Sequence, residues 1–84
     1  MYELLFEKRV FKDLDRISDT DVARVESRMR TLSENPLPRD SKKLVGETKM
    51  YRIRQGPYRI IYTVDHKQKE VRILAIRHRK DASR

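Results

Sequence analysis

The 84-residue sequence has no cysteine, no tryptophan and only two glycines. Without cysteine there can be neither a disulfide nor a thiolate metal site, which suits a cytoplasmic location. Two glycines cannot make the glycine-rich loop that cradles nucleotide phosphates. No run of about 18 apolar residues is present, so no membrane-spanning helix is expected. Nor does any charged-then-apolar segment resemble a secretion signal. The two histidines, His66 and His78, are not at ligand spacing and the carboxylates form no local cluster, so neither a metal nor a cofactor is expected.

What the chain has is charge. Charged residues make up 40% of it and hydrophobic ones 37%, a lean apolar share that is nevertheless periodic. Periodicity argues for a folded domain rather than disorder, and the length allows one domain across residues 1–84. A core this small sits near the lower limit for independent stability, where partner binding often helps. The net charge is +8, and it is unevenly placed. Residues 1–48 hold ten basic against ten acidic residues, whereas residues 49–84 hold eleven against three. A balanced scaffold is followed by a basic field, which attracts polyanions such as nucleic acid. Solubility, or an acidic protein partner, would use the same field.

Along the chain, "YELLF" (2–6) reads as a first strand. From Glu7 the period changes: Val10, Phe11, Leu14 and Ile17 recur at helical spacing. "SDTD" (18–21) interrupts it and supplies cap residues, with Ser18 and Asp21 at capping-box spacing. Val22, Val25, Met29 and Leu32 then mark a second helix, stopped by "NPLP" (35–38). Residues 36–48 read as a polar connection in which Leu44 and Val45 tuck inward while Lys42 and Lys43 stay wet. Strands follow at about 49–54, 57–64 and 70–77, turning at Gly56-Pro57 and at "DHKQK" (65–69). Short connections favour antiparallel meander pairing. The expected class is α+β in the order β-α-α-β-β-β, a helical hairpin packed on one face of a small, mainly antiparallel sheet.

Strand alternation then sorts the hairpin "MYRIRQGPYRIIYTV" (50–64). Tyr51, Ile53, Tyr58, Ile60 and Tyr62 share one face, and Arg52, Arg54 and Arg59 share the other. If the first set packs beneath the helices, the three guanidinium groups project together from the uncovered side. A merely solvated face would mix signs, so this one reads as a phosphate-binding surface. Tyr51, Tyr58 and Tyr62 read as core aromatics rather than base-stacking platforms.

"KLVG" (43–46), "MYRIRQGPYRIIYTVD" (50–65) and "ILAIRHRKD" (73–81), in this order of elements, resemble the RelE/ParE superfamily of bacterial and archaeal toxins over nearly the whole chain. The resemblance implies a microbial-ribonuclease-like fold and a toxin of a type II toxin–antitoxin pair. RelE-like members cut messenger RNA in the ribosomal A site without a metal: the 2′-hydroxyl attacks the adjacent phosphate and leaves a 2′,3′-cyclic phosphate. ParE-like members share the fold, lack the ribonuclease residues and poison DNA gyrase. The implied partners are a cognate antitoxin and, for a RelE-like member, A-site mRNA and 16S ribosomal RNA.

By this resemblance Arg52 and Arg54 stand at paired basic positions that hold phosphates. Arg59 would stabilise transition-state charge, and Arg79 would serve the leaving group. Arginine is a poor general base but an excellent bidentate phosphate donor. His78, with an ordinary pKa of about 6.5, suits proton transfer, although a histidine that only packs at a strand end would look the same. His66, in the 65–69 turn, reads as structural. Lys42, Lys43, Lys49, Arg77 and Lys80 are candidate RNA-backbone contacts. Ser83 is a departure, since relatives often carry a tyrosine there that stacks on the scissile nucleotide. Natural divergence, a silencing substitution and a member that was never a strong ribonuclease all fit that serine. Three readings therefore stand open: a ribosome-dependent mRNA endonuclease, a gyrase inhibitor, and a basic binding domain without activity.

Overall fold

The computed structural model of the chain describes residues 1–44, 46 and 49–80. Its elements are β1 (Glu3–Phe6), α1 (Lys8–Asp15), α2 (Asp19–Thr31), β2 (Lys42–Lys43), β3 (Met50–Gln55), β4 (Tyr58–Asp65) and β5 (Glu70–His78). The sheet runs β1-β5-β4-β3-β2, with β1 parallel to β5 and every other pair antiparallel. The helices cover one side, α1 over β5 and α2 over β3 and β4. The expected order and class hold, with one addition. Strand β2 lies inside what the sequence presents as a polar connection, pairing Lys42 with Arg52 and Lys43 with Tyr51. Two lysines in a row carry no strand signal, and edge pairing alone makes them one. Leu44 is half-buried, and Val45 lies outside the described residues.

The helices start and stop for the expected reasons. The Ser18 hydroxyl accepts from the Asp21 backbone N–H at 3.3 Å, and Asp19 and Asp21 complement the positive end of the α2 dipole. Val10 of α1 and Val25, Met29 and Leu32 of the α2 region close over Ile53, Ile60, Tyr62, Val64, Val71 and Ile73. Leu14 and Ile17 complete the inner stripe of the first helix. Phe11 does not: it is 58% exposed and leans on the ring of Phe6, centroids 6.2 Å apart. Val10, Leu14 and Ile17 fall at i, i+4 and i+7, and a residue one step from Val10 is rotated about 100° off that line.

Tyr62 is fully buried and donates its hydroxyl to the Pro36 carbonyl at 2.8 Å, tying the post-α2 loop to the sheet. Burial pushes its phenol from the ordinary 10.0 up to about 12. The fold therefore keeps a proton that the unfolded chain gives up first. That contribution to stability is fully present below pH 10 and is lost as pH rises through about 12. Urea unfolding between pH 8 and 11.5 is expected to show this fall, and Tyr62→Phe to remove the Tyr62 share of it. An unchanged pH dependence in the variant would contradict this assignment.

Turn chemistry sets the strand register. Gly56 sits at φ +58° in the β3–β4 turn, a left-handed conformation natural to glycine. Asp65 Oδ1 accepts from the N–H groups of Lys67 and Gln68, both at 3.0 Å, and fixes the β4–β5 turn. The β4–β5 ladder itself slips once. Ile61 opposes Ala75 while Tyr62 opposes Ile73, so Leu74 is an extra residue on β5.

Candidate nucleic-acid interface

Direct cross-strand partners project from the same sheet face, so the register reads out the surface that the helices leave uncovered. Arg54 opposes Arg59, and Arg59 opposes Arg77, giving a row of three arginines across β3, β4 and β5. The next row inward runs Lys42, Arg52, Ile61, Ala75. Arg77 joins this face only because Leu74 is extra. Unbroken alternation from Val71 and Ile73 would turn Ala75 and Arg77 toward the helices. Instead the bulge sends Ile76 and His78 there. The consecutive apolar pair Ala75-Ile76 is the trace this leaves in the sequence.

Beyond the row, the chain past β5 folds back on the β3–β4 turn, where the Arg79 N–H donates to the Pro57 carbonyl at 2.7 Å. Arg54, Arg59 and Arg79 thereby line a cleft of about 240 Å³ together with Gly56, Pro57 and Tyr58. No carboxylate among the described residues pairs with any of these three guanidinium groups. The Arg59 Nε is buried and has no hydrogen-bond partner among the described residues. Such a donor is costly to bury empty, and like charges placed directly opposite on a sheet repel. A phosphate oxyanion relieves both penalties with charge-assisted, bidentate bonds.

Electrostatics beside the cleft agree with this geometry. Burial, and then the positive charges of Arg54 and Arg59, hold the Arg52 guanidinium below its usual range, while Asp40 offsets part of that effect. Asp40 is itself claimed by Arg28 of α2, whose hydrogen bond holds the carboxyl below the usual carboxylate range. Arg28 also donates Nε to the Arg54 carbonyl at 3.5 Å, joining α2 to the arginine end of β3. Neither Arg28 nor Asp40 stands out in the sequence, because each looks like one more solvated charge. Their pairing exists only in three dimensions.

The expected site residues thus divide. Arg52, Arg54, Arg59, Arg77 and Lys42 share the uncovered face, and Arg79 and Lys80 follow at its β5 end. Lys43 opposes Tyr51 and so belongs to the helix-side face. Lys49 precedes β3 at the far end from the cleft, roughly 16 Å from Arg54 along the strand. His78 opposes Tyr58 across β4 and β5, and the rings meet edge to face at 5.4 Å on the helix side. Its Nδ1 accepts from the Lys80 N–H at 3.1 Å. Tyr58 and His78 thus share the helix side, opposite the face that carries the row of arginines. His66 Nδ1 and the Tyr2 hydroxyl share a hydrogen bond of 2.8 Å, far from the cleft. Ser83 lies outside the described residues.

Set beside known proteins, residues 4–83 match the sequence model described as "ParE toxin of type II toxin-antitoxin system, parDE". The chain is 33% identical over 66 residues to the RelE1 protein of Methanocaldococcus jannaschii, spanning 75% of this chain and 73% of that one. Its fold is similar to one in the archaeal RelE–RelB complex from Pyrococcus horikoshii OT3, with a TM-score of 0.82, 34% identity, and coverage of 93% and 94%. The toxin–antitoxin complex RelBE2 of Mycobacterium tuberculosis gives a TM-score of 0.82 at 29% identity, covering 92% and 96%.

Proposed function

Because the chain belongs to the RelE/ParE superfamily of type II toxin–antitoxin toxins, we propose that it cuts messenger RNA in the ribosomal A site without a metal. The observation that supports this is the cleft of Arg54, Arg59 and Arg79, with its buried Arg59 Nε, which has no partner among the described residues. In the proposed step the 2′-oxygen forms a bond to phosphorus as the bond to the 5′-oxygen breaks. A 2′,3′-cyclic phosphate and a 5′-hydroxyl result. Negative charge grows on the pentacoordinate phosphate, where fixed guanidinium groups stabilise it most. Arg52, Arg77 and Lys42 would grip the flanking phosphates, and helix and loop lysines would meet 16S ribosomal RNA.

The cleft supplies charge rather than a proton carrier. Arginine does not titrate in the working range, and His78 projects from the helix side of the sheet, opposite the face of the arginine row. The 2′-hydroxyl proton then leaves to solvent, and the departing 5′-oxygen takes its proton from water. The single-turnover cleavage rate is expected to climb about tenfold per pH unit from 6 to 8.5, without the break near 6.5 that a histidine base would impose. A clear plateau above pH 7 would instead assign the proton to a side chain. For single-stranded RNA, Arg52→Gln should lower the slope of log affinity against log salt by about 0.7. An unchanged slope would remove Arg52 from the interface.

Cleavage is tested by mapping message ends in a cell-free translation system with purified protein. New ends at A-site codons support the proposal, and intact messages during arrested translation would contradict it. A second reading, a ParE-like gyrase inhibitor, draws on two observations: the matched family model is a ParE toxin, and the described residues that line the cleft include no histidine or carboxylate. Purified gyrase supercoiling at a normal rate with saturating protein would eliminate it. In either case a cognate antitoxin is the expected partner, its carboxylates lying near the arginines and its apolar side chains reaching exposed Phe6, Phe11 or Leu37. Calorimetry with the product of the adjacent gene checks this.

A further inference from the structure

On the helix side of the same strand ends lies a second hollow, of about 150 Å³, lined by Asp13, Arg16, Ile17, Tyr58, Ile76 and His78. Its polar groups are unequally engaged. Asp13 accepts from the Ile76 N–H at 2.9 Å and pairs with Arg9, and the Tyr58 hydroxyl donates to Asp21 at 3.2 Å. His78 uses Nδ1 for the Lys80 N–H, which leaves Nε2 as the ring position for a ligand. Arg16 is exposed and has no ion pair among the described residues. Both Asp13 contacts are to Oδ2, so the unspent groups are the donors of Arg16 and His78 together with the acceptor Asp13 Oδ1, set above an apolar floor of Ile17, Ile76 and the Tyr58 ring.

This hollow adjoins the arginine cleft. Tyr58 lines both, and His78 and Arg79, one in each, are consecutive residues with Cα atoms about 3.8 Å apart. A closed cavity of comparable volume takes one aromatic ring, and this hollow is open to solvent, so a fused second ring can extend past its rim. We propose that the hollow is a nucleobase subsite, which receives an unstacked base while the attached phosphate sits among Arg54, Arg59 and Arg79. This rests on the reading of the cleft as an RNA phosphate site. A rim with donors and one carboxylate acceptor favours a base whose edge carries both acceptors and N–H donors, as guanine's does. The Arg16 guanidinium matches O6 and N7 of guanine, the pair that arginine binds bidentately. Packing against Tyr58 and His78 adds affinity that depends little on which base is present.

The test is an NMR titration of the full chain with ribose 5-phosphate, guanosine, and the four nucleoside 5′-monophosphates. Guanosine monophosphate is expected to bind about tenfold more tightly than ribose 5-phosphate, shifting signals of Ile17, Ile76 and His78 together with Arg59. Arg16→Ala, at an exposed helix end, should erase the guanine preference while leaving ribose 5-phosphate affinity within about twofold and the melting curve unchanged. Equal binding of all monophosphates and ribose 5-phosphate, with Ile17 and His78 signals unmoved, would overturn the base subsite and leave the phosphate site intact. Failure of ribose 5-phosphate to bind while guanosine still shifts Ile17 and His78 would strike the phosphate reading instead. Response of those signals to an antitoxin peptide but to no nucleotide would make the hollow a protein anchor and end the proposal.

Discussion

Arg59→Ala is expected to slow message cleavage by about 10²–10³, the usual effect of removing one fixed donor from a developing oxyanion. The melting temperature should stay the same or rise slightly. Both outcomes follow from the same placement. Arg59 sits between Arg54 and Arg77 in the cross-strand row and lines the cleft with Arg54 and Arg79. Its buried Nε finds no partner among the described residues. Deleting it relieves repulsion and an unsatisfied donor in the resting state, and removes charge only when a phosphate is present. A structural arginine would behave in the opposite way, losing stability first and activity as a consequence. Arg59→Lys should recover part of the rate but not all, because an ammonium cannot make the bidentate contact. The check is single-turnover cleavage with programmed ribosomes, alongside thermal melts of each variant.

Ile60→Ala should cost roughly 2–4 kcal/mol, whereas Ile61→Ala, one residue along, should cost about 1 kcal/mol or less. Ile60 is fully buried under the helices opposite Ile53 and Ile76. Ile61 is half-buried on the arginine face, opposite Arg52 and Ala75. A domain of this size holds only about 4–12 kcal/mol in total, so the Ile60 loss is a large share of it. At about 4–8 °C per kcal/mol for such a chain, the first variant should melt some 10–25 °C lower and the second within a few degrees of wild type. Circular dichroism melts of the two proteins decide the matter. Equal losses would mean that the helices do not cover only one face.

Much of the fold and its basic face is legible in the sequence because strands alternate. Parity alone separates Tyr51, Ile53, Ile60 and Tyr62 from Arg52, Arg54 and Arg59, and the cross-strand register keeps that division. Ser18 announces the start of α2, and Gly56-Pro57 announces the turn that closes the cleft. What escapes has non-local causes. The bulge at Leu74 reassigns Arg77 and His78 to opposite faces, and a one-residue register shift leaves almost no local signal. Strand β2 exists because β3 offers it an edge, not because Lys42 and Lys43 favour extension. Phe11 keeps helical spacing yet stays exposed, since it lies about 100° around α1 from the buried line of Val10, Leu14 and Ile17. The braces from Arg28 to Asp40 and from Tyr62 to Pro36 join segments far apart in the chain.

The most direct test places purified protein on ribosomes stalled with a defined A-site codon, then reads the ends of the message. Cutting within that codon, with a 2′,3′-cyclic phosphate on the upstream fragment and a reaction that fades when Arg59 is replaced by alanine, is the predicted result. An uncut message from folded protein, together with inhibited gyrase supercoiling, would contradict it and show that the arginine cleft serves a protein surface instead of an RNA backbone.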